Sequence, residues 1–288
     1  IFWDVNYLVN FLKEICLSHG LKVSLLKSKF DQSIDLKKLE KKLIYNKKIK
    51  MVLFVHVETS TGLENPISKI SKICHRHNTL SLVDSVGGFG GVKINFDKMK
   101  IDILATSSQK CLNVPAGLGI LFLSKKAKKT QLIKKLNTSW TLNLNNIDKY
   151  RRNWKKWHPH GPTTAPVSIY LALERSMDLI LKEGLTKRHN RHLKIKEYLR
   201  KKLSKKKLEL FIKNDQFASS VLTTFLLPKG IILSNFVSKM KKKYNITISG
   251  DLGYIDKRLV RISHMGVQAN YKDVNRTLNA ITDIISSK

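Results

Sequence analysis

Two short apolar runs, LSLV at 80–83 and IDILA at 101–105, constrain the fold of this chain more than anything else in it. Each is short, almost wholly apolar and bounded by polar residues, the pattern of strands buried on both faces of a parallel sheet. Each also delivers chemistry at its C-terminal end. Asp84 follows the first, and Ser107, Ser108, Gln109 and Lys110 follow the second. In open α/β sheets, ligands bind outside the carboxyl ends of the strands. One carboxylate and one amine at that edge suit pyridoxal phosphate, which needs a lysine to bond to and an acid beside its ring nitrogen.

The rest of the chain extends the alternation. Residues 9–19 predict an amphipathic helix with Phe11, Leu12, Ile15 and Cys16 on its apolar side, ended by Gly20. A strand is expected at 21–26, then a helix marked by Leu36, Leu39, Leu43 and Ile44 and capped by Asp35. MVLFVHV at 51–57 predicts a buried strand that ends in the polar loop ETSTG, and Pro66 opens the next helix. Residues 119–123 predict another strand. A basic region at 125–156 leads to the loop WHPHGPTTAP. Pro166 then starts a long helix with an apolar stripe of Val167, Tyr170, Leu171, Met177, Ile180 and Leu181, stopped by Gly184. Strands at 221–227, 246–249 and 259–263 with helices at 236–244 and 274–285 predict a small α+β unit. The expected division is 1–165 for a mostly parallel-sheet large domain and 166–288 for a connecting helix and the small domain.

Composition bounds the function. The 288 residues suffice for about two domains, and 42% hydrophobic content argues against global disorder. Cys16, Cys74 and Cys111 are odd in number and form no CxxC, so neither a zinc site nor a disulfide framework is indicated and a reducing, cytoplasmic setting is expected. No apolar run is long enough for a membrane span, and no membrane partner is expected. The chain starts at Ile1 in mid-pattern, which suggests a large domain incomplete at its N-terminus. The net charge of +33 admits a polyanion partner. The lysines, however, are spread over nearly every helix without interleaved aromatics, as codon drift in an AT-rich genome would leave them. Weak adhesion to RNA is expected, with no specific nucleic-acid partner.

Five segments carry a resemblance: ETSTG, VDSVGG, SSQKCLNVPAG, HGPTTAP and RLVRISHMG, in that order. Together they resemble the class V aminotransferases of pyridoxal phosphate fold type I, nearest to the alanine–glyoxylate (serine–pyruvate) group, over essentially the whole chain. The resemblance implies an α/β fold with a small C-terminal α+β domain. It implies Lys110 as the Schiff-base lysine, Asp84 as partner of the ring nitrogen, Thr59 near the phenolic oxygen and Gln109 near the phosphate. It also implies a homodimer with shared sites, in which Thr164 and Thr163 reach the neighbour's phosphate, and Arg261 as the clamp on the substrate carboxylate. The family's glycine-rich phosphate loop has no counterpart in this chain. The aromatic that stacks on the ring would be Tyr7 or Trp3. The tyrosine that the family carries near the shared loop is unmatched in HPHGPTTAP.

The residues also have plainer readings. Lys110 is one lysine among dozens, Asp84 could cap a helix, and Arg261 in LVRIS could form a structural ion pair. Thr59, Thr163 and Thr164 suit turns. His158, His160 and His264 have no metal-ligand spacing, and no metal is expected. Gly87, Gly88, Gly90 and Gly91 lack the strand–GxGxxG–helix context, so close packing or a flexible turn is the expectation. The expected activity is transfer of an amino group from alanine or serine to glyoxylate or pyruvate. The alternatives are 2-aminoethylphosphonate transamination, cysteine desulfuration, or a truncated, inactive chain.

Overall fold

The computed structural model describes residues 2–4, 7–130, 139–153, 161–250 and 255–287, with the side chains of 2–4, 7, 8 and 153 excepted. The strands are β1 (Phe2–Asp4), β2 (Leu25–Lys27), β3 (Met51–Val55), β4 (Val57–Glu58), β5 (Leu63–Glu64), β6 (Leu80–Asp84), β7 (Ile103–Ser107) and β8 (Gly119–Leu123), followed by β9 (Glu209–Leu210), β10 (Leu222–Leu226), β11 (Ser249–Gly250) and β12 (Leu259–Ser263). The helices are α1 (Tyr7–Ser18), α2 (Leu36–Tyr45), α3 (Ile67–Arg76), α4 (Lys125–Lys129), α5 (Leu144–Asn153), α6 (Val167–Glu183), α7 (Leu185–Lys205), α8 (Leu233–Tyr244) and α9 (Tyr271–Ser286).

The first sheet has the order β2-β1-β3-β6-β7-β8, parallel except for β8. Val55 is opposite Asp84, and Asp84 is opposite Ala105. Three strand ends therefore meet at one edge. On one face, Leu39 and Leu43 of α2 and Ile67, Ile70, Ile73 and Cys74 of α3 close over Val52, Phe54, Val83 and Leu104. Asp35 starts α2 by accepting from the amides of Lys37 at 3.0 Å and Lys38 at 3.1 Å. On the other face α1 sets Val9, Leu12 and Cys16 against Leu53 and Val55. The second sheet is antiparallel, β11-β12-β10-β9, and α7, α8 and α9 cover its core. Among the described residues, no helix is long and apolar enough to cross a membrane.

Several expectations change. The strand expected at 21–26 is only Leu25–Lys27. The strand expected at 101–105 starts at Ile103, because Asp102 uses its carboxylate to accept from the Ser81 amide, at 3.0 Å, instead of joining the ladder. The run 51–57 breaks at His56, whose amide still joins the ladder at Asp84 O, at 2.7 Å, while its carbonyl accepts from Asn65 N at 2.8 Å as the chain turns into the β4–β5 hairpin. The strand expected at 246–249 shrinks to Ser249–Gly250. Phe11 and Ile15 of α1, and Ile44 of α2, face outward. The stripe on α6 is the largest departure: Val167, Tyr170, Leu171, Met177 and Leu181 are exposed, and only Ile180 of the set is buried. The helix instead lays Ile169, Ala172, Leu173 and Ile180 on Leu112 and Val114.

Candidate active site

Asp84 ends β6 and Lys110 sits three residues beyond β7, in a turn at the same sheet edge. Ser108 closes that turn. Its carbonyl accepts from Val114 N at 3.2 Å and its hydroxyl donates to Pro115 O at 2.7 Å. Lys110 is half-buried and Gln109 is exposed. The turn that leaves Asp84 is packed tightly against the loop after β3. A Cβ on Gly87 would lie 2.8 Å from Thr59 Cγ2, and one on Gly88 2.6 Å from His56 Nδ1. Close packing is therefore what these glycines serve. Cys111 Sγ, next to Lys110, reaches Gly87 O at 3.6 Å. The Asp84 turn thus lies between the Thr59 loop and the Lys110 turn.

Arg261 comes from the other sheet. It stands opposite Thr224 on β10 and Ser249 on β11, and its Nη1 donates to Thr59 O at 3.0 Å. Thr224 Oγ1 donates to Thr61 O at 2.5 Å, and Ser219 N to Gly62 O at 2.9 Å. The Thr59 hairpin is so strapped to the second sheet, and Arg261 is held over it. The guanidinium also borders a hollow of about 420 Å³ shared with Ser249, Gln268 and Arg276.

Electrostatics mark this edge. Burial pushes the Asp84 carboxyl above its ordinary value, while the Val86 amide, 2.9 Å from Oδ1, opposes that shift. Among the described residues, no lysine, arginine or histidine forms an ion pair with Asp84. A largely buried carboxylate without a cation is what a protonated ring nitrogen would complete, so the residues fit the cofactor that the sequence implies. Two groups here were not foreseen. Glu58 is fully buried and burial pushes its carboxyl to about 7, with the Asp84 charge raising it further and Arg261 lowering it. His56 is fully buried and held down to about 4 by burial, its Nδ1 2.9 Å from Ser85 Oγ. A charged residue inside the otherwise buried stretch HVETSTGL was the signal for Glu58.

Thr163 and Thr164 stand apart from this cluster. Both are exposed and line an open hollow of about 710 Å³ with Gly119, Leu121, Asp148, Arg151 and Tyr170. The Trp3 and Tyr7 side chains, His158 and His160 lie outside the described residues. His264 is buried against Thr223 Oγ1 at 2.9 Å, and Arg258 pairs with Asp256 at 3.2 Å.

The aminotransferase class-V family model matches residues 5–275. Mouse alanine–glyoxylate aminotransferase is 32% identical over 278 residues, which cover 94% of this chain and 66% of the mouse protein. An uncharacterised aminotransferase of Methanocaldococcus jannaschii is 37% identical over 235 residues, 81% of this chain and 59% of that one. The crystal structure of an alanine–glyoxylate aminotransferase from Nostoc sp. superposes with a TM-score of 0.87 at 27% identity, over 98% of this chain and 74% of the other. The chain therefore spans about two thirds or less of the length of these curated relatives. The α/β architecture with its mixed, mostly parallel sheet is that of pyridoxal phosphate fold type I. A strand-edge acid, a lysine turn and an arginine lent by a second sheet, in a chain matched almost from end to end, place the protein in the class-V aminotransferase family.

Proposed function

We propose that the protein is a pyridoxal phosphate-dependent transaminase that moves the amino group of a small amino acid, alanine or serine, to a 2-oxo acid, glyoxylate or pyruvate. The observation that carries this reading is the meeting of Asp84 and the Lys110 turn at one sheet edge with Arg261 docked on Thr59 O. The names of the mouse and Nostoc relatives support alanine as donor and glyoxylate as acceptor.

When bound, the cofactor supplies an electron sink for charge that develops at the substrate α-carbon. Lys110 would hold it through Nζ, and the same amine, in its neutral form at the sheet edge, would take and return the proton of the substrate α-carbon. Asp84 would hold a proton on the ring nitrogen by charge pairing, Thr59 would meet the phenolic oxygen and Gln109 would help hold the phosphate. The planar fork of Arg261 matches a carboxylate with two hydrogen bonds and fixes which α-carbon bond faces Lys110.

The same reading makes the protein a homodimer in which Thr163 and Thr164 serve the neighbour's phosphate; their place in an open hollow that neither Asp84 nor Lys110 lines, and the exposed apolar residues of α6, support it. It divides the chain at 165/166, with α6 as the connecting helix. It also sets the protein in the cytoplasm, where Cys16, Cys74 and Cys111 stay reduced. Desulfuration is disfavoured because Cys74 and Cys111 are buried, with thiols pushed up to about 12, and a nucleophilic cysteine must be an accessible thiolate.

Lys110→Ala tests the assignment. With alanine and glyoxylate, the native chain forms pyruvate and glycine and shows the visible absorbance of the bound cofactor; the variant loses both. Turnover that survives the substitution overturns the reading.

A further inference from the structure

The Asp84 turn and the Lys110 turn share one buried side chain. Arg188, in the first turn of α7, is 4% exposed at its side chain. Its Nε donates to Gly90 O at 2.6 Å, its Nη2 to Cys111 O at 2.5 Å and its Nη1 to Glu183 Oε2 at 3.0 Å. Gly90 belongs to the turn that leaves Asp84, and Cys111 directly follows Lys110. A guanidinium is a rigid plane, so two carbonyls bound to its fork have a fixed separation.

Arg191 extends the arrangement. Its Nε donates to Glu183 Oε1 at 2.6 Å and its Nη2 to Oε2 at 3.1 Å, while Nη1 reaches Gly266 O and Ala269 O, both at 2.8 Å. The turn at 266–269 follows β12, which bears Arg261, and its Val267 amide donates to Asn113 Oδ1 at 2.9 Å. The two arginines together hold the Glu183 carboxyl below its ordinary value, Arg191 foremost. His192, beside Arg191 on α7, accepts from Gly266 N at 3.0 Å, whereas the buried cations further along the helix face different ground. Lys196 donates to Asp215 O and Ala218 O, and Arg200 to Ile212 O and Asp215, all downstream of α7. Arg188 instead reaches back to both turns of the candidate site.

We propose that Arg188 is a positioning residue that sets the spacing between the Asp84 turn and the Lys110 turn, with Glu183 and Arg191 carrying the same register to the turn after Arg261. Its consequence for catalysis rests on the transaminase reading above; its geometry does not.

Arg188→Lys keeps the charge but can bridge the two carbonyls only as a point donor. Amide hydrogen exchange on the full chain without cofactor is the first measurement. The amides of Gly91, Val92, Asn113 and Val114 should exchange about tenfold faster, while those of β10 stay unchanged. With cofactor, alanine and glyoxylate, kcat should fall about 10- to 100-fold with KM for alanine within about twofold. Glu183→Gln, at a partly exposed position, repeats the exchange test should Arg188→Lys fail to fold, with a smaller change at the same amides. Arg200→Lys should leave both turns unaffected. Unchanged exchange at the two turns, or acceleration that β10 shares equally, overturns the proposal. If the native chain shows no transamination while the turns still loosen in the variant, the positioning role stands and the transaminase reading falls.

Discussion

Glu58 carries a cost that shows only when pH changes. Its Oε1 accepts from Ser60 N at 3.0 Å and Ser60 Oγ at 2.8 Å, while Oε2 is buried with no hydrogen-bond partner among the described residues. The folded chain keeps a proton on this carboxyl up to about 7, whereas the unfolded chain releases it near 4.5. A raised folded-state value means that stabilisation is fully present below the unfolded value and is lost as pH rises through the folded one. At 1.36 kcal/mol per unit, the loss is on the order of 3 kcal/mol. Glu58→Gln removes the ionisation and keeps the shape. Urea unfolding of both proteins from about pH 4 to pH 8 should show the variant gaining on the native chain by about 2–3 kcal/mol across that interval. Two curves that run parallel would mean that Glu58 is ionised at no cost. His56 acts in the opposite direction: held at about 4, it favours the folded state above the ordinary histidine value and ceases to as pH falls toward 4.

Among the elements, the turn after β12 and the Lys110 turn interlock. Gly266 has φ +59°, and a Cβ there would lie 1.6 Å from Asn113 Oδ1. Gly266→Ala thus incurs both left-handed backbone strain and a steric overlap, about 3 kcal/mol together, read as a lower urea midpoint. Asn113 itself has φ +57°, so Asn113→Gly is compatible with its backbone. Combined with Gly266→Ala, it should recover part of the loss beyond additivity. Strictly additive losses would deny the interlock. How far sequence reaches differs between such elements. Strands 80–83, 119–123 and 259–263 were legible because largely apolar runs mark them, and the arrival of Asp84 and Lys110 at one sheet edge was legible because they follow such runs. The break at His56 was not, since what takes its carbonyl out of the ladder is the Asn65 amide on the far side of the hairpin. Arg188 left no trace, because its partners are main-chain carbonyls 77 and 98 residues away and any sequence offers carbonyls. The α6 stripe carried no sign of what covers it, because an amphipathic pattern is identical whether it lies on its own sheet or on another molecule.

At the scale of the whole molecule, that outward stripe and the net charge make opposing demands. Val167, Tyr170, Leu171, Leu179 and Leu181 of α6, with Leu121 and Phe122 beside them, expose more apolar surface than scattered side chains would. Burying it against a second copy is favourable, yet two chains of charge +33 repel each other. Salt screens that repulsion over a Debye length of about 10 Å at 0.1 M and leaves apolar burial intact. Dimerisation should therefore strengthen between roughly 50 and 300 mM salt. Association bridged by nucleic acid should weaken over the same range, because it releases counterions. Sedimentation velocity on nuclease-treated protein reads the two directions apart. Leu171→Asp, at a position 59% exposed in the single chain, should shift the proposed dimer toward monomer without loss of helix signal. A monomer at every salt concentration, or a dimer indifferent to Leu171→Asp, would show that α6 is not the face on which two copies meet, and Thr163 and Thr164 would then have no neighbouring site to serve.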